Sequence, residues 1–123
     1  MLKSLVQKLR AAWPGVKIAV QADNGFCRWR LMRWCDSRGI GHVLGLVRNP
    51  ALQRAAGDEI ARAERLFLKT GQPQRLFGSF AYAASSSDRP RRVIVEAEHN
   101  ARGPNPRFVV TNVLVYKTFY ILI

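Results

Sequence analysis

At 123 residues the chain holds one ordinary domain and has no room for a second independent core. Hydrophobic residues make up 48% and aromatics 10%, which excludes a disordered basic tail. Twenty Lys and Arg, fifteen of them Arg, stand against eight Asp and Glu and leave a net charge of +12, so the expected partner is a polyanion, with nucleic acid first: Arg pairs bidentately with phosphate and releases condensed counterions.

Leu2, Leu5, Val6, Leu9 and Trp13 recur at helical spacing, and Pro14-Gly15 ends the helix they predict. Val16, Ile18 and Val20 then alternate with Lys17, Ala19 and Gln21, which predicts a strand closing on the Asp23-Asn24-Gly25 turn. Phe26, Leu31, Trp34 and Cys35 fit a helix up to Arg38, with Gly39 suited to the left-handed position that follows it. His42 to Val47 reads as a short buried strand. Strand, helix and strand over Val16 to Val47 match the length of a βαβ unit, whose strands should be parallel.

Asn49 can cap and Pro50 can open another helix, in which Leu52, Ala56, Ile60, Ala63 and Phe67 keep the period up to Gly71, with a break expected at Gly57. After Pro73 the period falls to two. Strands are expected over Leu76 to Tyr82, Arg91 to Glu98 and Arg107 to Val113, separated by a Ser-rich loop and by a Gly and Pro loop over Asn100 to Pro106. Such short connections imply antiparallel pairing. The C-terminal run Val113 to Ile123 falls far short of the ~20 residues of a membrane span and is broken by Lys117. With no signal peptide, and with Cys27 and Cys35 read as free thiols, the cytoplasm is the expected compartment.

Asp23 is the main candidate for chemistry, because it follows a predicted parallel strand at the end where open α/β sheets place their ligand crevices. On spacing alone it is equally a metal-binding carboxylate and the residue that opens the turn or caps the next helix. Glu96, Glu98 and His99 form the one compact acid and histidine group, read as the solvated face of a strand in preference to a metal site. Arg28, Arg30, Arg33, Arg91 and Arg92 are the candidate phosphate contacts.

The stretch VKIAVQADNGFCRWRLMRWCDSRGIGHVLGLVRNP, followed in order by LKTGQPQRLFGSFAY, RRVIVEAEH and NPRFVVTN, resembles the DDE-type transposases of bacterial insertion sequences. The closest likeness is to the group whose second catalytic Asp lies in an ADSGF-like motif. The resemblance covers roughly Leu5 to Asn112. It implies a ribonuclease-H-like α/β core in which two Asp and one Glu hold divalent ions, commonly Mg²⁺, and in which a strand-rich insertion precedes the Glu. By this resemblance Asp23 is the second Asp, both catalytic residue and metal ligand, and Asn24 stands where the family usually has Ser.

The implied organisation is a partial core over residues 1–49, a helix plus β insertion over 50–113, and a divergent tail over 114–123. The first Asp would precede Met1 and the Glu would follow the insertion, which makes the chain a fragment, inactive alone, with DNA as its partner. Three further expectations follow. The strand from Val16 should have an unpaired edge and invite self-association. The insertion strands should project away from the end of the sheet that carries Asp23. Mg²⁺ should bind loosely, since one carboxylate cannot fix two ions. The alternative reading is a small basic DNA-binding protein without catalysis, and a product of a decayed element predicts the same features.

Overall fold

The computed structural model describes residues 2–15, 17–22, 29–83, 89–113 and 119–122. Its elements run α1 (Leu2–Ala12), β1 (Ile18–Ala22), α2 (Trp29–Ser37), β2 (Gly41–Leu46), α3 (Pro50–Ala55), α4 (Gly57–Thr70), β3 (Gln74–Tyr82), β4 (Arg91–Asn100), β5 (Gly103–Thr111) and β6 (Phe119–Leu122). The class is mixed α/β, as the sequence predicts, and the six strands form one sheet in the order β3-β4-β5-β2-β1-β6. β1 pairs parallel with both β2 and β6, whereas β2 with β5, β5 with β4 and β4 with β3 are antiparallel.

Local chemistry sets most of the boundaries. Asn49 Oδ1 accepts from the Leu52 amide at 2.8 Å and Pro50 occupies the first turn of α3. The helix is interrupted at Ala56, one residue before the expected break, and α4 then runs to Gly71, whose φ of 71° lets its amide close on the Phe67 carbonyl. Val6, Met32, Cys35 and Leu52 from three helices, with Ala56 between α3 and α4, join Val20, Leu44, Val93, Val95, Phe108 and Val110 in one core on one face of the sheet. The opposite face carries Gln21, Val43, Ile94, Val109, Arg92 and Arg107, all partly or fully exposed. On α1 the buried positions are narrower than the predicted stripe: Val6 is in the core, while Leu5 and Trp13 are exposed.

Three expectations are corrected. β1 is not an edge strand, because the backbone of Phe119–Leu122, expected to be a divergent tail, pairs along it. The antiparallel strands do not project away from the parallel ones: β5 lies directly beside β2, with Leu44 opposite Val110 and Leu46 opposite Phe108. β5 also begins at Gly103 rather than Arg107. Pro104 and Pro106 lie beyond the reach of β2, so that part of β5 has a free side toward which their missing N–H groups can face.

Candidate functional site

β1 ends at Ala22, and the next residue, Asp23, lies outside the described residues together with Arg28. What is described is the ground around it. The carboxyl ends of β1 and β2 stand side by side, Ala22 opposite Leu44, and border a cleft of about 540 Å³ lined by Gln21, Ala22, Gly45, Leu46 and, from β5, Phe108 and Val109. This is the end of a parallel sheet where ligand crevices form, because strand-to-helix connections splay apart there.

Of the candidate phosphate contacts, Arg30 and Arg33 are exposed three residues apart on α2, which begins six residues after Asp23 in sequence. Arg92 is exposed on β4 and donates to the Val113 carbonyl at 3.3 Å. Arg91 is different. Its side chain is 5% exposed and its Nη1 donates to Asp36 Oδ2 at 2.6 Å. Strand alternation sends Arg92 outward and Arg91 inward, so adjacent arginines that look alike in sequence have separate roles.

Asp36, near the end of α2, is the centre of a network that sequence reasoning missed. It accepts from Arg89 and Arg91, and its Oδ1 accepts from Asn112 Nδ2 at 2.9 Å. His42 is fully buried beside it, Nε2 lying 3.9 Å from Asp36 Oδ1. Asn112 also receives the His42 amide on its Oδ1 at 2.7 Å and donates to the Ile40 carbonyl at 3.1 Å. Burial pushes the Asp36 carboxyl up, but hydrogen bonds from Arg91, Asn112 and Arg89 outweigh it and hold the group below the usual carboxylate range. Burial drives His42 down to about 4, against the opposing pull of Asp36, so the ring is neutral at pH 7. Burial, reinforced by Asp36, raises the Cys35 thiol to about 11, which makes it unreactive. The network lies at the start of β2, the opposite end of that strand from the cleft, and ties α2 to β4 and to the end of β5. Its signal in the sequence was one Asp, with partners more than fifty residues away.

Among the described residues, the remaining acids do not converge on β1. Glu96 is bound by Arg75 Nε at 2.8 Å, Glu98 accepts from Asn100 at 3.0 Å, and Asp58, Glu59 and Glu64 lie on α4. Among the described residues no three Asp, Glu, His or Cys side chains are grouped so as to hold a metal ion. The described donor set therefore does not fit a two-ion centre. Among the described residues no helix is long and apolar enough to cross a membrane.

No match was found among curated proteins or solved structures. The model of one protein family, transposase DDE domain group 1, matches residues 1–120. That span takes in the strand-helix-strand unit and the antiparallel strands that continue the same sheet. A mixed α/β sheet built on a parallel strand-helix-strand unit is consistent with a partial ribonuclease-H-like core, and the chain belongs to the transposase DDE domain group 1 family.

Proposed function

We propose that this chain is the part of a DDE transposase catalytic core that binds DNA and supplies Asp23, and that alone it neither cuts nor joins DNA. The position of Asp23 immediately after β1, within a chain of this family, carries the reading. The +12 charge, with Arg30, Arg33 and Arg92 exposed, suits a phosphate backbone. Arg91, taken up by Asp36, serves the fold rather than the DNA in this reading. Mg²⁺ is the ion of the family. Asp23 would be one ligand among several, and the six described carboxylates lie elsewhere, which supports the absence of turnover. A cytoplasmic location fits a DNA partner and the buried free thiol of Cys35.

Two measurements test this. Fluorescence anisotropy with duplex DNA of arbitrary sequence should show binding that weakens steeply with salt, by ~0.9 in log-log slope for each phosphate neutralised. No binding at low salt would remove DNA from the account. Supercoiled plasmid incubated with the protein and Mg²⁺ or Mn²⁺ should remain uncut, for the wild type and for Asp23→Ala alike. Nicking by the wild type that is lost in Asp23→Ala would show that the chain completes a site after all.

A further inference from the structure

The cleft at the carboxyl ends of β1 and β2 is bordered by two arginines that are not among the candidate phosphate contacts read from the sequence. Arg48 follows β2 and Arg107 stands on β5, both exposed and both on the cleft wall. Arg48 is held in place: its Nη2 donates to Asn105 Oδ1 at 2.9 Å, across fifty-seven residues of sequence. Arg107 faces Glu96 across the β4/β5 ladder, but Glu96 is engaged by Arg75 on the far side. Among the described residues no carboxylate oxygen lies within 4.0 Å of either guanidinium. Two cations without carboxylate partners therefore border a crevice with an apolar floor of Gly45, Leu46 and Val109. An acceptor is the chemical complement of such a pair, and a planar guanidinium oriented by an amide matches the two non-bridging oxygens of a phosphodiester.

We infer that Arg48 and Arg107 form a clamp for the phosphates of a DNA strand, seating that strand in the cleft at the carboxyl ends of β1 and β2. The inference rests on the DNA-binding reading above and adds a location to it. Arg48 and Arg107 are positioning residues: they hold the strand and take no part in bond making. Because Arg48 is oriented through Asn105, part of the affinity comes from preorganisation rather than from charge.

The test uses the full chain, a fluorescent duplex and a salt series. Arg48→Gln/Arg107→Gln should bind at least ~10-fold more weakly at low salt, with the log-log slope reduced by ~1.8, two contacts' worth. Arg62→Gln/Arg65→Gln removes the same formal charge from the exposed face of α4, where Asp58 and Glu59 already offset it, and should change affinity less than ~3-fold. Asn105→Ala keeps both charges but frees Arg48, and should weaken binding several-fold with the slope unchanged. Equal losses in the two double variants would overturn the clamp, because bulk charge would explain both. Wild-type affinity in Asn105→Ala would also overturn it, and this single change at a partly exposed site keeps the test decisive if the cleft double variant fails to fold. Absence of binding by the wild type would instead remove the DNA reading itself, and the clamp with it.

Discussion

His42 and Asp36 show how much one buried contact depends on pH. A histidine with an ordinary value near 6.5 that falls to about 4 in the fold binds fewer protons folded than unfolded between those limits. Stability from this residue is therefore complete above pH 6.5 and is lost as the pH falls toward 4. The shift corresponds to something on the order of 3 kcal/mol. Asp36 also has a folded value below its ordinary one, so its contribution is present above the unfolded value of 3.8 and is lost as the pH falls further. Urea titrations from pH 8 to pH 3 should show a stability plateau, a first decline between pH 6.5 and 4, and a second below it. His42→Gln should flatten the first decline and leave the second; an unchanged first decline would assign it to another group.

At the scale of the element, the start of β2 packs closely against β1. A Cβ on Gly41 would meet Val113 Cγ2 at 2.8 Å and the Ala19 Cβ of the neighbouring strand at 3.0 Å. Val113 can shift; Ala19 is fixed on a paired strand. Gly41→Ala should therefore destabilise by ~1–3 kcal/mol, the usual cost of overpacking, although Ala is otherwise the better strand residue. Thermal and urea melts of Gly41→Ala check this, and a stability equal to wild type would show that β1 and β2 can separate locally. The helices show the converse, local rule. Asn49, Pro50 and Gly71 act through their own backbone neighbours, so the start of α3 and the end of α4 could be read directly from the chain.

For the whole molecule, the consequential pairing is β6 against β1. It converts the first strand from an edge into an interior strand and moves the open edges to β3 and β6. An exposed parallel edge offers unpaired N–H and C=O groups to another chain. Removing residues 114–123 should return β1 to the edge, lower stability, and make the chain self-associate as concentration rises. Sedimentation velocity over a concentration series compares the shortened chain with the 123-residue one. Identical masses at every concentration would show that β6 does not protect β1.

Composition, charge and short-range pattern were enough to predict the α/β class, a parallel strand pair joined by α2, and three antiparallel strands after α4. They also placed Asp23 at a strand end. Each of these rests on residues that are neighbours in sequence: an alternating period, a proline or a glycine, a cap three residues away. The placement of β5 beside β2, the extension of β5 through Pro104 and Pro106, the docking of β6, the capture of Arg91 by Asp36 and the pairing of Arg48 with Asn105 were not readable in this way. All depend on which surfaces meet after the chain has closed on itself. Adjacent Arg91 and Arg92 make the point most directly: the chemistry of the two side chains is the same, and strand alternation within the assembled sheet buries one while exposing the other.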